Sequence, residues 1–419
     1  MTDLHEEITA IGDRALAASR KLILLGSNKK KAVLQAMADE LEAGKDRIRS
    51  ANSEDMENGR NAGLSRAMLD RLLLNDARID SVVHGVRAIA ALKDPIGARI
   101  SRWIRPNGLE IIKKRVPIGV IAIIYESRPN VTADTSALCF KTSNAVILRG
   151  GKEAANTNRA IADLMQEGGK KKGLPDDAIQ LIRTTDRNAV GELVRLEGKV
   201  DLVIPRGGEA LIRAVTEQSR IPIIKHYKGV CHVYVDKSAD PDMALKILEN
   251  AKCQRPGVCN AVETLLVHEA LAEEFLPRVA ERLGELKVEL RGDEAARRVV
   301  PSMKEAQEDD WYAEYLDMIL AVKTVPDVKG AVAHINKYGS RHSDSIVASS
   351  EDAQKVFVKQ VDSATVYINA STRFTDGGEF GMGAEIGIST DKLHARGPMG
   401  LEELTTYKYI IKGKGQVRE

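Results

Sequence analysis

Hydrophobic residues recur every three or four positions through the first part of the chain, which predicts helices across residues 3–95. The repeats are formed by Ile8, Ile11, Ala15 and Leu16, by Val33, Leu34, Met37 and Leu41, and by Met68, Leu69, Leu72 and Leu73. Pro95 ends the last of these helices because its ring cannot continue a helix. The lysine run at residues 29–31 has no aromatic or further basic cluster beside it, so we interpret it as a solvated helix face.

The pattern changes between residues 98 and 116, where polar and apolar residues mix around a turn at residues 106–108. This segment predicts a β-hairpin. A second segment of the same kind, Thr405–Ile411, lies near the end of the sequence. Strands set apart from helical layers commonly pair with a neighbouring strand or with another subunit.

Alternation of strands and helices begins at Val120. Residues 120–125 are apolar at every position except the final tyrosine, as a parallel strand buried on both faces requires. Helices are predicted near 132–142, 152–168, 187–196 and 209–218, and they separate further apolar strands near 145–148, 179–182, 202–204 and 221–224. This order predicts a doubly wound parallel sheet, in which nucleotides bind at the carboxyl ends of the strands.

A second alternating series begins at Val230. Its predicted strands lie at residues 232–235 and 262–267 and near 319–324, 345–348 and 365–369. With 419 residues, the chain is also too long for one simple core. The sequence therefore predicts an α/β fold with two doubly wound sub-domains.

Paired glycines follow two strands of the first series. Gly150 and the glycine after it lie between Arg149 and Lys152, and Gly207 and Gly208 follow the strand at 202–204. Glycine lets backbone approach a ligand, and a helix that begins just afterwards offers N–H groups to phosphate. The nearby arginine and lysine suit an additional phosphate. The alternative is that both segments are ordinary glycine turns.

One cysteine is a candidate nucleophile. Cys259 ends a tight connection, made by Pro256 and Gly257, between a helical pattern and the strand at 262–267. A thiol held there can be presented to a cleft, and Lys252 and Arg255 favour its reactive thiolate form. The alternative is a small buried hydrophobic residue, because free cysteines often have that role. The sequence alone pairs no histidine with this thiol.

A structural zinc site is not indicated by the cysteine spacing. Five residues separate Cys253 from Cys259, whereas usual zinc pairs are separated by two to four, and no second pair follows.

Composition excludes several classes of function. Basic and acidic residues number 62 and 60, so no long-range field attracts nucleic acid or a membrane surface. The four cysteines fit a reducing compartment better than a disulfide framework. The N-terminal residues lack a signal pattern and the apolar runs have the length of strands, so we expect a cytoplasmic protein.

Six segments resemble the aldehyde dehydrogenase superfamily and, within it, the γ-glutamyl phosphate reductases of proline biosynthesis. They are Pro117–Thr132, Ile204–Ile212, His226–Asp236, Gln254–Val267, Glu314–Asp317 and Gly397–Tyr407. Together they cover most of the chain in the family's order, and several are particular to the reductases.

The resemblance implies NADPH-dependent reduction of L-glutamate 5-phosphate to L-glutamate 5-semialdehyde, with release of phosphate, through a cysteine thioester. Cys259 matches the family's nucleophile, and Asn130 matches the asparagine that forms the oxyanion hole with the backbone N–H of that cysteine. Arg128 and Arg255 are our candidates for the substrate's phosphate or α-carboxylate, because guanidinium groups suit bidentate contacts. The alternative is that both arginines are structural or surface residues.

The resemblance also implies a set of residues for the cofactor. These are Arg149, Gly150 and Lys152 near the adenosine ribose or its phosphate, Gly207 and Gly208 beneath the pyrophosphate, and Glu314 at the nicotinamide ribose. The basic residues favour NADPH over NADH.

The expected domains follow from the same resemblance. Residues 1–97 and 117–228 are expected to bind the cofactor, and residues 229–400 are expected to form the catalytic domain. Residues 98–116 and 401–419 form an arm that joins subunits, so a homo-oligomer, a dimer or tetramer, is expected. A transient contact with the glutamate 5-kinase that makes the substrate is a further possibility. No metal is expected.

One departure from the superfamily is informative. Oxidising members carry a glutamate that activates water for thioester hydrolysis, whereas the corresponding place here is near Lys225 and His226, and no acid lies between Ser219 and His232. A reductase gains from this absence because its thioester must be protected from water until hydride arrives.

Three alternatives remain open. They are an oxidising aldehyde or semialdehyde dehydrogenase, a coenzyme A-acylating relative, and a non-catalytic nucleotide-binding or scaffold protein in which Cys259 is incidental.

Overall fold

The computed structural model describes residues 4–418, apart from the side chain of Ala67, and these divide into two compact units. The first unit comprises the residues up to Lys225, residues 381–387 and the residues from Met399 onward. The second comprises residues 226–380 and 388–398. The assignment of cofactor binding, catalysis and subunit contact to separate domains stays a prediction.

The helices of the described residues are α1 (Leu4–Leu22), α2 (Ser27–Ala43), α3 (Lys45–Asn61), α4 (Arg66–Leu72), α5 (Asp76–Ala91), α6 (Asn130–Lys141), α7 (Ala155–Lys171), α8 (Asn188–Leu193), α9 (Glu209–Gln218), α10 (Pro241–Cys253), α11 (Glu269–Glu285), α12 (Glu294–Val299), α13 (Val328–Tyr338) and α14 (Glu351–Gln360). Short 3₁₀ helices span Lys152–Ala154, Glu308–Tyr312 and Thr372–Phe374. No helix within residues 4–418 combines the length and the apolar character needed to cross a bilayer.

The strands are β1 (Arg99–Ile104), β2 (Glu110–Pro117), β3 (Val120–Tyr125), β4 (Ala145–Gly150), β5 (Ile179–Leu181), β6 (Leu202–Arg206), β7 (Cys231–Val235), β8 (Val262–His268), β9 (Glu289–Gly292), β10 (Lys304–Glu305), β11 (Ile319–Val325), β12 (Ser343–Val347), β13 (Thr365–Ile368), β14 (Ile388–Ser389), β15 (Gly397–Pro398) and β16 (Thr405–Lys412).

The first unit is built on a parallel sheet with strand order β5-β4-β3-β6. Every residue of β3 is buried. Because successive side chains of a strand point to opposite faces, this burial means that both faces of the sheet are covered. The first predicted α/β series is therefore confirmed for its first four strands.

The predicted strand at residues 221–224 is wrong. Only one isolated bridge joins this segment to β6, between Val203 and Ile223. Pro222 lies in the middle of the segment and has no N–H to donate to a ladder, although its carbonyl accepts a bond from the N–H of Val203 at 2.9 Å. The segment therefore follows the sheet edge without extending it.

The prediction that the lysine run at residues 29–31 forms a solvated helix face is wrong for its middle residue, Lys30. Lys30 is fully buried, whereas the lysines on either side of it are exposed. Its Nζ lies 2.5 Å from Asp94 and donates to the carbonyl of Lys141 and the hydroxyl of Ser143. Burial lowers the pKa of Lys30, while the hydrogen bond to Asp94 opposes that shift. This ammonium group thus ties α2 to the segments that flank β3.

The predicted hairpin is confirmed and belongs to a separate antiparallel sheet, ordered β1-β2-β16. The pairing of β2 with β16 runs from Pro117 opposite Thr405 to Glu110 opposite Lys412. Gly108 ends the turn at a φ of +83°, which glycine adopts without strain. Several large apolar side chains of this sheet are exposed, namely Ile100, Trp103, Ile104, Tyr407, Tyr409 and Ile411.

The second unit contains a seven-stranded sheet in the order β10-β9-β11-β8-β7-β12-β13, and every pairing in it is parallel. Alternate residues of its central strands enter different cores. Val233 and Val235 pack in one cluster with residues of α10 and α11, whereas Tyr234 packs in a second cluster with residues of α13 and α14. This alternation confirms the second predicted α/β series.

A histidine is buried without a polar partner in the second unit. Neither ring nitrogen of His334 has a hydrogen-bond partner among residues 4–418. Its ring packs 5.4 Å from Trp311, 5.5 Å from His232 and 4.5 Å from Tyr338, measured between ring centroids. Burial lowers the pKa of His334 to about 2, so the ring is neutral in the folded protein.

We expect His334 to make the second unit sensitive to acid. The unfolded chain binds a proton at this residue near pH 6.5, whereas the folded chain does not, so stability falls as pH decreases below 6.5. The loss is about 1.4 kcal/mol for each pH unit. Urea unfolding at pH 7.5 and pH 5.5 measures it, with Trp311 fluorescence as the signal in a Trp103→Phe background.

In that background, His334→Phe is expected to lose less stability between the two pH values than the parent does. The exposed His84, changed to Gln, serves as the matched control and should behave as the parent. An equal pH dependence in the parent and in His334→Phe would show that the ring is not the acid-sensitive group.

Candidate active site

The loop that carries Cys259 has the predicted setting. α10 begins with Pro241 after Asp240, whose carboxylate accepts the N–H groups of residues 242 and 243, and it ends at Cys253. The connection over residues 254–261 then leads to β8. Cys259 itself is partly exposed, so the interpretation as a fully buried hydrophobic residue does not hold.

Asn260, the residue after Cys259, is held by hydrogen bonds to a segment that is distant in sequence. Asn260 is buried and donates to the carbonyl of Thr375 at 2.9 Å, while its own carbonyl accepts the hydroxyl of Thr372 at 2.7 Å. Its side-chain oxygen accepts a hydrogen bond from Arg373. The thiol of Cys231 adds a hydrogen bond to the carbonyl of Cys259 at 3.2 Å. These contacts fix the backbone on which the Cys259 thiol stands.

A glycine supports the same backbone from the other side. A Cβ at Gly229 would lie 1.9 Å from the carbonyl oxygen of Cys259 and 2.4 Å from its Cα, so only glycine fits there. The N–H of Gly229 donates to Glu314 at 2.8 Å. The resemblance assigns Glu314 to the nicotinamide ribose. In the structure, Glu314 also holds Gly229, which lies against the backbone of Cys259.

The two basic residues that the sequence places near Cys259 have different environments. Lys252 is fully buried and pairs with the equally buried Glu263 at 2.6 Å, so its charge is neutralised within the protein. Burial raises the pKa of Glu263, while the charge of Lys252 opposes that shift. Arg255 is exposed. The role predicted for Lys252 beside the thiol is therefore wrong.

Arg373 is a cation near the thiol that the sequence did not reveal. Its Nε donates to Gln254 at 2.8 Å, and its Nη1 donates to Asn260. Burial and the charge of Arg255 lower the pKa of Arg373, whereas the charge of Cys259 raises it. No motif marks this arginine, because it approaches the loop from a segment more than one hundred residues away.

Two histidines flank the thiol. The ligand atoms of His226, Cys259 and His342 all lie within 4.8 Å of one another. Each of these residues comes a few positions before one of three adjacent strands, β7, β8 and β12, which brings them to the amino-terminal edge of the sheet. Sequence reasoning missed both histidines because their meeting depends on strand order.

The candidate cofactor turn lies at the end of β6. Gly208 donates its N–H to the carboxylate of Glu126 at 2.8 Å, and α9 begins at the next residue. A Cβ at Gly207 would lie 2.6 Å from the same carboxylate. β3 and β6 are neighbours, whereas β4 lies on the other side of β3, so this is the switch point at which dinucleotides bind. A carboxylate at the Gly208 amide indicates that this amide accepts an anion, as a pyrophosphate requires.

The basic residues after β4 have different environments. Arg149 is buried, and its guanidinium donates to the carbonyls of Gly150, Thr185 and Asp186, the last two at 3.2 Å. Lys152 is exposed at the start of a short 3₁₀ helix. Lys152 therefore presents its charge to solvent, whereas Arg149 anchors the loop after β5. The exposed lysine and the glycine turn fit a nicotinamide dinucleotide.

Asn130 begins α6, and its amide is already oriented. Its Nδ2 donates to Asp134, one turn further along the helix, at 3.0 Å. Burial raises the pKa of Asp134 to about 6, against the hydrogen bond from Asn130 and the charge of Arg206. Arg128 precedes this helix, and its side chain is exposed.

The predicted site residues are divided between the two units. Cys259, Arg255 and Glu314 belong to the second unit, and the structure brings the first and the last together through Gly229. The remaining predicted residues belong to the first unit. They are Arg128, Asn130, Arg149, Gly150, Lys152, Gly207 and Gly208. The joint oxyanion hole of Asn130 and Cys259 stays a prediction.

Comparison with known proteins decides the family. The sequence model described as "Aldehyde dehydrogenase family" matches residues 3–318. The chain belongs to the aldehyde dehydrogenase family. This finding confirms the family predicted from the sequence, and with it the α/β architecture.

Within the aldehyde dehydrogenase family, the chain is similar to several γ-glutamyl phosphate reductases. That of Geotalea daltonii is 54% identical over 414 residues, which are 99% of each chain. That of Moorella thermoacetica is 54% identical over 413 residues, again 99% of each chain. The crystal structure of the Thermotoga maritima γ-glutamyl phosphate reductase matches with a TM-score of 0.97 at 46% identity, covering 99% of this chain and 100% of that one.

A more distant aldehyde dehydrogenase shares the fold alone. The structure of an acetylating aldehyde dehydrogenase from Geobacillus thermoglucosidasius matches with a TM-score of 0.72 at 17% identity, covering all of both chains. The coenzyme A-acylating alternative therefore receives no support beyond a common architecture.

We expect the buried ion pair to be necessary for the candidate site of this aldehyde dehydrogenase. Lys252 and Glu263 lie on α10 and β8, which frame the Cys259 loop. Either Lys252→Met or Glu263→Leu leaves a buried charged group without its partner, which typically costs about 3–5 kcal/mol. Chemical unfolding of the two single variants and of the double variant measures the coupling.

The double variant Lys252→Met/Glu263→Leu should recover most of the stability lost by Lys252→Met. Lys355→Met, which breaks the exposed pair with Glu351, is the matched control and should change stability little. A double variant whose loss of stability equals the sum of the losses in the two single variants would show that the two residues are not energetically coupled.

Proposed function

We propose that the chain catalyses the NADPH-dependent reduction of L-glutamate 5-phosphate to L-glutamate 5-semialdehyde, with release of phosphate, as a step of L-proline biosynthesis. The observation that carries the proposal is full-length similarity, at 54% identity, to relatives named γ-glutamyl phosphate reductase. The support from the site is a partly exposed thiol on a loop whose backbone is fixed by Asn260 and Gly229.

The first half of the reaction forms a thioester. The Cys259 thiolate attacks the acyl carbon of the substrate, and a bond forms between sulfur and carbon. The negative charge on the acyl oxygen is stabilised by the amide of Asn130 and the N–H of Cys259, whose backbone is held before the reaction begins. The bond to the phosphate oxygen then breaks, and phosphate leaves with the electron pair.

The second half releases the aldehyde. Lys152 and the turn at Gly207 and Gly208 would hold the reduced cofactor, which would supply a hydride for the thioester carbon. The resulting oxyanion uses the same donors, and its collapse breaks the bond between carbon and sulfur. The products are the semialdehyde and the Cys259 thiolate, and one solution proton is taken up in the overall reaction at the released phosphate.

Positive charge near the thiol serves both halves. Arg373 is held by Gln254 and Asn260, and its charge interacts with that of Cys259. Arg255 on the same loop and Arg128 in the first unit are exposed, and both are candidates for contact with the substrate's phosphate or α-carboxylate. The place where oxidising relatives carry their water-activating glutamate lies near Lys225 and His226 and has no carboxylate, so the thioester is not hydrolysed by such a base.

We further propose that NADPH is preferred and that the protein is a homo-oligomer. The exposed charge of Lys152 follows β4 and suits the additional phosphate of NADPH. The sheet of β1, β2 and β16 exposes aromatic and aliphatic side chains, with Trp103 and Tyr409 in edge-to-face contact at 6.2 Å. Such a surface is typical of a subunit interface.

The reverse reaction tests the proposed function. Incubation with L-glutamate 5-semialdehyde, NADP⁺ and phosphate should produce NADPH, and omission of phosphate should abolish it. The dependence arises because phosphate is the nucleophile that removes the acyl group from Cys259. Formation of NADPH without phosphate would favour an oxidising aldehyde dehydrogenase, and replacement of phosphate by coenzyme A would favour an acylating one.

We expect Cys259→Ser to abolish turnover in either direction, because an alcohol at this position is a much weaker nucleophile than a thiolate. Fluorescence titration with NADPH should give an unchanged affinity, which separates loss of chemistry from loss of fold. Cys253→Ser, on the last turn of the preceding helix, is the matched control and should retain activity. Near-normal reduction by Cys259→Ser would show that another group is the nucleophile.

A further inference from the structure

We propose that His226, Cys259 and His342 form a binding site for a thiophilic divalent cation such as Zn²⁺, and that occupation of this site inhibits the enzyme reversibly. The three ligand atoms already lie within 4.8 Å of one another in the second unit. Two imidazoles and one thiolate are a ligand set that zinc and cobalt accept and that magnesium and calcium do not.

The geometry is close to that of a bound ion. Nitrogen and sulfur ligands of a tetrahedral zinc ion lie about 3.3–3.6 Å apart, given the usual metal–ligand bond lengths. The observed upper limit exceeds this separation by about 1.2–1.5 Å, so the partly exposed Cys259 side chain and the two rings must approach one another by that amount when an ion binds.

The hydrogen bonds of His226 suit metal binding. Its Nδ1 lies 2.7 Å from the carbonyl oxygen of Ile388. A carbonyl can only accept, so Nδ1 carries the proton and Nε2 carries the lone pair. Metal-ligating histidines commonly donate their other N–H to such a carbonyl, which fixes both tautomer and ring orientation.

His342 is held in a similar way. Its Nδ1 lies 2.9 Å from the hydroxyl of Ser343 and 3.7 Å from the thiol of Cys231. The Ser343 hydroxyl is itself hydrogen bonded to Thr375 at 2.7 Å. The buried ring of His342 is therefore oriented before any ion arrives, which reduces the entropy lost on binding.

The site has three protein ligands and one open position. Cys231 is the nearest further thiol, but it donates its proton to the carbonyl of Cys259, and burial raises the pKa of that thiol. It is therefore a poor fourth ligand, and water or an anion completes the coordination. Arg255 and Arg373 place positive charge near Cys259, so we expect reversible inhibition and not the permanent binding of a structural zinc site.

Binding replaces the thiol proton of Cys259 by the metal. One sulfur–metal bond forms, one proton is released, and the sulfur lone pair that attacks the acyl carbon is no longer available. The inhibition rests on the proposed function, whereas the binding does not.

Cobalt substitution tests the site directly. Titration of the full chain with Co²⁺ should saturate at one ion per chain and produce a thiolate-to-cobalt charge-transfer band together with visible d–d bands. Zn²⁺ should abolish both signals, whereas Mg²⁺ should not. Cys259→Ser should lose the charge-transfer band, and His226→Gln should weaken Co²⁺ binding roughly 10-fold or more.

His84→Gln and Cys253→Ser are matched controls and should bind Co²⁺ as the parent does. Because His342 is buried, Co²⁺ binding by His342→Gln is compared with that of the parent only if the two proteins have the same thermal unfolding. If they do not, the test relies on His226→Gln, since His226 is partly exposed. An absent charge-transfer band, or unchanged Co²⁺ affinity in both His226→Gln and Cys259→Ser, would overturn the site.

Inhibition is measured separately. Zn²⁺ should inhibit reduction competitively with the acyl phosphate, a chelator should reverse the inhibition, and the inhibition constant should rise roughly 10-fold or more in His226→Gln. Cobalt binding without turnover under any condition would leave the site intact and refute the proposed function. Zinc inhibition of equal strength in His226→Gln would refute the inhibitory role of this site.

Discussion

The approach of the Gly229 backbone to that of Cys259 is the constraint on which the candidate site depends. No side chain fits between the two segments, since a Cβ at Gly229 would lie 1.9 Å from the Cys259 carbonyl oxygen. Glu314 fixes Gly229 from one side and the residues around Thr375 fix Asn260 from the other. The Cys259 thiol therefore stands on a backbone that the fold itself already orders.

This rigidity is created by the core of the second unit. β7 and β8 are buried at every position, and their alternate residues enter two different hydrophobic clusters. A shift of register by one residue would exchange the two sets of side chains, so the register is strongly determined. The loops at the amino-terminal edge inherit this register, and for that reason His226, His342 and Cys259 meet although they are far apart in sequence.

The sequence predicts those features that depend on local pattern. The apolar run at residues 120–125 predicts a doubly covered strand, and Pro256 with Gly257 predicts the loop that presents Cys259. It does not predict the burial of Lys30 or Lys252, because burial of an ammonium group depends on a distant carboxylate, Asp94 or Glu263.

Other features are hidden for related reasons. β9 and β10 are short and rich in charged residues, so no hydrophobic period identifies them. Arg373 and the two histidines reach the thiol only through strand order and loop packing. Within the candidate site, the loop that presents Cys259 is thus visible in the sequence, whereas the groups that surround the thiol are not.

The pairing of β2 with β16 has a consequence for how the chain acquires its structure. β2 precedes the whole of the second unit in sequence and β16 follows it, so the first unit is discontinuous. During synthesis on the ribosome, β16 emerges only after the whole second unit has been made. The hairpin of β1 and β2 must therefore remain without the third strand of its sheet until then. The exposed edge of β2 is vulnerable to pairing with other chains during that interval. Early closure of the second unit would shorten the effective distance between the two halves of this sheet and so speed its completion.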